Sequence, residues 1–160
     1  MDIKSPPDIT VFNIADWFLA RAKDEGRDLK LLKLHRLVYF AYGWYCAYYD
    51  DPPLFKENFY AWRRGVLVKD LHERFKQCGG NPIFVRDLEC PVFDENVTEI
   101  LESVWKAYAP RSEFTLSRAI RSHSAWRQAQ RSFELEAVIL PETIRETFKE
   151  LAQRYANVYT

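Results

Sequence analysis

The chain has 160 residues, of which 48% are hydrophobic and 16% aromatic. This is enough apolar material for one folded domain with its own core, and too much for a disordered segment. Its 23 Lys and Arg residues balance 23 Asp and Glu residues, so no overall positive charge draws the protein to nucleic acid or to anionic membranes.

Residues 1–7 contain no apolar core of a signal peptide, which argues against secretion. The longest apolar run without a charge, residues 37–49, is shorter than the roughly 20 residues that span a bilayer. The cysteines are odd in number and have no CxxC spacing, which predicts free thiols. We therefore expect a cytoplasmic protein that does not enter a membrane.

Apolar residues at helical spacing predict a first helix, which Thr10 caps and Gly26 ends. A second helix is predicted over residues 29–49, where the residues beyond Arg36 are apolar on every side. Because a helix with no polar face must be surrounded by others, we expect it at the centre of the fold. A proline pair after Asp51 ends it.

The middle of the chain predicts short extended segments around one helix. Residues 59–62 are rich in aromatic side chains and predict a strand, after which Gly65 reverses the chain. A third helix is predicted to start near Val66 and to stop at Gly79. Residues 83–93, between two prolines, predict irregular or weakly extended backbone.

The last part of the chain predicts three more helices. The fourth begins after the capping candidate Asp94 and stops at Pro110, and the fifth covers residues 115–131. Residues 134–140 predict a short strand. Pro141, a residue that suits a first helical turn, opens the last helix.

These elements predict a mainly α fold in a single domain that spans residues 1–160. We expect a compact bundle of about six helices around the central apolar helix 29–49, with a few short strands near 59–62 and 134–140. The sequence contains no internal repeat and no linker that would separate two domains.

Motifs of catalysis and of metal binding are missing from the sequence, which has no GxSxG, no glycine-rich phosphate loop, no HExxH and no EF-hand pattern. We therefore expect no enzyme activity, no catalytic residue, no metal and no cofactor. The histidines, His35, His72 and His123, lie on three different predicted helices. A metal-dependent hydrolase or nuclease is the alternative if they converge with an acid such as Asp70.

Two clusters of Trp and Arg are candidates for contact with another protein. One lies at the predicted turn before Gly65, where side chains can reach a partner. The other lies on the predicted fifth helix, where Arg121 and His123, close before Trp126, can form a cationic and aromatic pocket for an acidic group. The alternative is that Trp62 and Trp126 are core residues and the arginines are solvated. The predicted partner-binding residues are Trp62, Arg63, Arg64, Arg121, His123 and Trp126.

Several blocks of the sequence occur in a recognisable order. They are Leu-Lys-Leu at residues 32–34, Leu-Val-Tyr-Phe-Ala-Tyr-Gly-Trp at 37–44, Pro-Leu-Phe at 53–55 and Ala-Trp-Arg-Arg-Gly at 61–65. In these blocks the chain resembles the Panacea domain family, also called SocA-like and often described as phage-associated. Leu116-Ser117 followed by Trp126-Arg127 resembles the late motif of that family, although Ile120-Arg121 stand where the family has Thr-His.

The resemblance implies a mostly helical fold with minor strands and an antitoxin role in a toxin–antitoxin system. The domain would bind and neutralise a protein toxin encoded by a neighbouring gene. No enzyme activity and no cofactor are implied. The identity of the toxin and the oligomeric state are not predicted.

A nucleic-acid-binding domain is a further alternative. It would use residues 111–131, which contain five arginines and one glutamate. The neutral total charge and the lack of a helix-turn-helix signature argue against it.

Overall fold

The computed structural model describes residues 2–49, 52–131 and 137–159, with side chains up to residue 156. The described residues form seven α-helices and five short strands, which confirms the predicted mainly α class. The helices are α1 (Val11–Asp24), α2 (Leu31–Tyr48), α3 (Lys69–Phe75), α4 (Glu95–Tyr108), α5 (Glu113–Ser122), α6 (Ser124–Gln130) and α7 (Pro141–Tyr159). The strands are β1 (Ile3–Lys4), β2 (Phe59–Trp62), β3 (Gly65–Leu67), β4 (Val92–Phe93) and β5 (Ala137–Ile139).

Helix α2 lies at the centre of the molecule, as its apolar sequence predicted. It packs against α1, α3, α4, α5 and α7 and against strand β3. Side chains on different sides of the helix, such as the consecutive residues Leu37, Val38 and Tyr39, are fully buried. A helix that is apolar all round needs neighbours on all sides, and α2 has them.

An aromatic cluster around Tyr39 joins α2, β2 and α7. The ring of Tyr39 lies 5.5 Å from the rings of Phe59 and Phe148 and 5.6 Å from that of Phe40. All three contacts are edge-on, which is a favoured arrangement of aromatic rings. The cluster therefore forms the centre of the hydrophobic core.

Strand β2 is the middle strand of an antiparallel sheet with the order β3–β2–β5. It confirms the strand predicted near 59–62. Strand β5 confirms the described part of the strand predicted at 134–140, and residues 134–136 lie outside the described residues. In the β2–β3 hairpin Trp62 is paired with Gly65, which leaves the residues between them at the tip.

The third helix begins later than predicted. Val66 and Leu67 belong to β3, and α3 starts at Lys69 and continues as the 3-10 helix Lys76–Cys78. Val66 pairs with Ala61 across the hairpin, and both side chains are buried. Because β-branched residues suit a buried pleated strand, this pairing prevails over the helical spacing of the apolar residues.

The predicted fifth helix, 115–131, is two helices. Helix α5 begins at Glu113, since the Ser112 hydroxyl accepts a hydrogen bond from the Thr115 amide at 3.1 Å. His123 then interrupts the helical backbone with φ −70° and ψ 137°, and α6 follows. The His123 ring is buried against Tyr39, a tertiary contact that prevails over the local helical preference.

Strands β1 and β4 pair in parallel, with Ile3 opposite Val92, a pairing that the sequence did not predict. The described helices include none that combines the length and the apolar character needed to cross a bilayer. The cysteines Cys46, Cys78 and Cys90 are free thiols.

Candidate functional site

The β2–β3 hairpin presents two arginines at its tip. Arg63 and Arg64 are exposed and connect Trp62 to Gly65. Gly65 has φ +126°, a backbone conformation that residues with side chains rarely adopt, so the turn requires glycine here. The Arg64 guanidinium lies 5.8 Å from the centre of the Trp62 ring. The tip thus holds an aromatic ring beside two cations, where the sequence predicted them.

A buried arginine fastens this tip to helix α5. Arg36, on α2, is 3% exposed. Its Nη2 donates to the carbonyl of Arg64 at 3.1 Å, and its Nη1 donates to the carbonyl of Glu113 at 3.0 Å. The Ser117 hydroxyl donates to the same Arg64 carbonyl at 3.3 Å. These bonds fix the hairpin tip relative to the first turns of α5.

The exposed face of α5 continues the surface of the hairpin tip. Phe114, Arg118 and Arg121 point away from Leu116 and Ile120, which are buried against the core. Phe114 is 70% exposed, whereas phenylalanine is usually buried. We call the combined area the hairpin–α5 surface, which consists of Trp62, Arg63, Arg64, Phe114, Arg118 and Arg121.

The hairpin–α5 surface is positively charged, although the whole chain is neutral. The segments 59–67 and 113–122, which form it, contain one acidic residue, Glu113. Burial is the main cause of the lowered pKa of Arg36; Glu113 acts in the opposite direction, and the charges of Arg121 and Arg64 lower it further. The guanidinium groups of Arg121 and Arg64 therefore lie close enough to Arg36 to disfavour its charged form.

Trp126 supports this surface from the side of α6. Its Nε1 donates a hydrogen bond of 2.7 Å to the carbonyl of Gly65, and its side chain is half-buried. The alternative given by the sequence, that Trp126 is a packing residue, accounts for this position. The contact holds α6 against the hairpin and so helps to fix the tip.

His123 differs from its neighbour Arg121 because it is buried. It is 7% exposed, and its Nδ1 lies 2.9 Å from the hydroxyl of Tyr39. Burial lowers the pKa of His123 to about 4, so the imidazole is neutral near pH 7. The predicted cationic pocket is therefore wrong in one respect, since Arg121 supplies a cation there and His123 does not.

The other two histidines lie near α3. His35 is 1% exposed, and its Nδ1 accepts a hydrogen bond from the Val68 amide at 3.1 Å. Burial, followed by the charges of His72 and Arg36, lowers the pKa of His35 to about 3. His72 is exposed on α3. In the part of the chain that the structure describes, no three His, Cys, Asp or Glu side chains are placed to hold a metal ion.

Sequence reasoning missed Phe114, Arg118 and Arg36. Phe114 could have been found, since it lies off the helical stripe formed by Leu116 and Ile120 and is therefore an aromatic residue on a polar face. Arg36 gave no such signal, because an arginine in the second turn of a helix, before an apolar run, also fits an exposed position.

The hairpin–α5 surface combines aromatic rings with arginines, the residue types that dominate the binding energy of protein interfaces. It contains no nucleophile placed next to a general base. Comparisons of the chain with protein-family models, with curated proteins and with solved structures found no match.

Proposed function

We propose that this protein is an antitoxin, which binds and neutralises a protein toxin through the hairpin–α5 surface. The observation that supports the proposal most is the convergence of two distant segments. Ser117 and Arg64, 53 residues apart in sequence, are joined by a hydrogen bond. That bond joins the hairpin that carries Arg63 and Arg64 to the helix that carries Phe114, Arg118 and Arg121.

The surface is prepared for binding before a partner arrives. Arg36 and Trp126 hold the backbone of the hairpin tip at Arg64 and Gly65. A partner therefore meets a fixed turn and pays little entropy for ordering it. Aromatic and arginine side chains on such a fixed frame are the usual anchors of a protein interface.

The charge of the surface indicates the chemistry of the partner. Arg63, Arg64, Arg118 and Arg121 face solvent with Glu113 as the one acid in their two segments. A toxin that binds here would present an acidic patch, because opposite charges speed association and exclude wrong partners. Neutralisation by binding needs no chemical step, and both proteins would meet in the cytoplasm.

Two of the segments that resemble Panacea domains meet at the hairpin tip. The block at 61–65 forms the hairpin tip, and the late motif supplies Ser117 and Trp126. Both of these residues donate hydrogen bonds to the backbone of the tip. The residues that carry this part of the resemblance thus lie at or beside the surface that the geometry favours. This supports the antitoxin role that the resemblance implies.

Co-expression tests the function. This protein is produced together with the product of the neighbouring gene, and growth and co-purification after nuclease treatment are measured. We expect the neighbouring product alone to arrest growth, and this protein to restore growth and to purify with it. Failure to restore growth and failure to co-purify would contradict the antitoxin proposal.

A pair of variants tests the surface. Arg63→Ala with Arg64→Ala should abolish rescue and weaken co-purification at least about tenfold, a loss of about 1.4 kcal/mol. The matched control removes two exposed cations elsewhere, Arg86→Ala with Lys106→Ala. If the hairpin variant, shown to be folded by circular dichroism, binds as tightly as the control, then the toxin binds elsewhere.

A further inference from the structure

A cavity of about 290 Å³ lies between α6 and α7. None of the six residues of the hairpin–α5 surface lines it. Its described lining contains three arginines, Arg127, Arg131 and Arg154, and one acid, Glu150. This described part of the lining therefore carries an excess of positive charge.

The helices bring these charges together by their spacing. Arg127 and Arg131 are four residues apart at the end of α6, so their side chains project from the same side. Thr147, Glu150 and Arg154 share one face of α7. Like charges at a spacing of four residues repel each other. An anion in the cavity would relieve that repulsion.

Hydroxyl groups form one wall of the cavity. The Ser124 and Thr147 hydroxyls lie 3.0 Å apart, and the Thr147 oxygen accepts a hydrogen bond from the Ala125 amide at 3.2 Å. Ser122 also lines the cavity, but its hydroxyl donates to the Ala119 carbonyl at 2.6 Å. One hydroxyl of the Ser124–Thr147 pair donates to the other, so the pair leaves one hydroxyl hydrogen for a ligand. Hydroxyls can donate to the oxygens of an anion.

His123 contributes a further donor. The Tyr39 hydroxyl is fully buried, and within the described residues its hydrogen-bond partner is Nδ1 of His123. A buried hydroxyl without an acceptor is costly, so Tyr39 donates to Nδ1. In a neutral imidazole the hydrogen is then on Nε2. The ring that lines the cavity thus has an N–H group left to donate.

We propose that this cavity binds a phosphoryl group, carried by a small phosphate monoester or by inorganic phosphate. The planar guanidinium groups of Arg127, Arg131 and Arg154 suit the paired oxygens of phosphate. One hydroxyl of the Ser124–Thr147 pair and His123 Nε2 add neutral donors. The volume is just below the roughly 300–1,000 Å³ of sites for larger ligands. This binding site is independent of the proposed antitoxin function.

Isothermal titration calorimetry on the full chain tests the site, with inorganic phosphate and ribose 5-phosphate as probes and chloride at equal ionic strength as the blank. We expect saturable binding of at least one probe. Arg127→Gln and Arg154→Gln should each weaken it roughly tenfold, whereas Arg86→Gln, which removes an exposed cation elsewhere, should not. Tighter binding of ribose 5-phosphate identifies a phosphate monoester as the ligand, and equal binding identifies phosphate itself.

Glu150→Gln provides a test in the opposite direction. Removing the one acid of the described lining should strengthen phosphate binding, because the carboxylate repels the anion and competes for the arginines. A gain of affinity cannot result from misfolding. The proposal is overturned if neither probe binds saturably, if the Arg127 and Arg154 variants bind as tightly as the wild type, or if Glu150→Gln weakens binding.

Discussion

The ring of Phe148 on α7 packs directly against the backbone of Gly43 on α2. A Cβ atom at position 43 would overlap this ring, so glycine is what allows the two helices to approach so closely. The contact lies within the largest helix–helix packing of the described residues, between α2 and α7. Phe148 also reaches Tyr39 from here, so the glycine fixes the centre of the aromatic core.

We expect Gly43→Ala to destabilise the protein. Alanine favours a helix over glycine by about 1 kcal/mol, but forcing a methyl group into a packed core costs about 1–3 kcal/mol. Because the displaced ring is fully buried and has aromatic neighbours, we expect the packing cost to prevail. Urea unfolding monitored by circular dichroism measures the net change.

Two further variants complete this test. Gly80→Ala is the control, since a Cβ there meets nothing within 4 Å, and it should not destabilise the protein. Phe148→Leu should make Gly43→Ala less harmful, because the two changes share one contact and are not additive. A Gly43→Ala protein as stable as the wild type would show that α2 and α7 are not held at this distance.

Local signals in the sequence were enough to predict much of the fold. An apolar run predicted helix α2, and the capping residue Asp94 predicted the start of α4. In the structure the Asp94 carboxylate accepts a hydrogen bond from the Val97 amide at 2.9 Å. The break at His123 could not be predicted in this way. It depends on contact with Tyr39, 84 residues away in sequence, and helical spacing contains no information about such a contact.

The same limit applies to the site. Trp62, Arg63 and Arg64 were predicted at a turn because Gly65 is a local signal. Arg121 on α5 was predicted too, but the sequence did not show that α5 meets the hairpin, since that contact depends on Arg36 reaching the Glu113 carbonyl across 77 residues of sequence. Composition can suggest anchoring residues, but the packing of distant segments decides which of them share a surface.

Arg36→Met should loosen the hairpin tip. Methionine keeps an unbranched apolar stem but removes the donors to the Arg64 and Glu113 carbonyls. Loss of a hydrogen bond from a charged group costs about 1.5–3 kcal/mol, partly offset because a buried cation is no longer desolvated. We expect a net loss of stability and faster hydrogen exchange at the Leu67 amide, which pairs with Tyr60 in the sheet.

The control for this variant is Arg21→Met. Arg21 makes a bidentate ion pair with Glu102 on the surface, and exposed pairs contribute about 0–1 kcal/mol. Hydrogen exchange in the hairpin should not change in this control. If Arg36→Met leaves the exchange of the Leu67 amide at the wild-type rate, the arginine does not fasten the hairpin tip.

Stability should fall in mildly acidic solution because of two buried histidines. Burial lowers the pKa of His123 to about 4. The pKa of His35 is lowered to about 3, and burial is again the largest cause. A histidine in the unfolded chain titrates near 6.5. Between about pH 6.5 and 4 the unfolded state therefore binds more protons, and folding stability decreases as pH falls. Each histidine contributes up to about 1.4 kcal/mol per pH unit in this range.

Urea unfolding at pH 7, 6 and 5 measures this dependence. His123→Gln and His35→Gln should each lower stability at pH 7 and flatten the decrease towards pH 5, because one proton uptake is removed. His72→Gln, at an exposed histidine on α3, is the matched control and should keep the wild-type slope. A wild-type slope in both buried-histidine variants would show that other groups cause the acid sensitivity.

Phe114→Ala should weaken toxin binding without weakening the fold. The side chain is 70% exposed, so its removal leaves no cavity, and stability should change by less than about 0.5 kcal/mol. In a complex the ring would be buried between the arginines of the hairpin–α5 surface, and loss of such an anchor costs at least about 1–2 kcal/mol of binding free energy.

Phe84→Ala is the matched control, since Phe84 is 80% exposed but lies outside that surface. Surface plasmon resonance with the product of the neighbouring gene should therefore show faster dissociation for Phe114→Ala and wild-type dissociation for Phe84→Ala. If instead Phe84→Ala dissociates faster and Phe114→Ala dissociates like the wild type, the interface lies at the loop that holds Phe84.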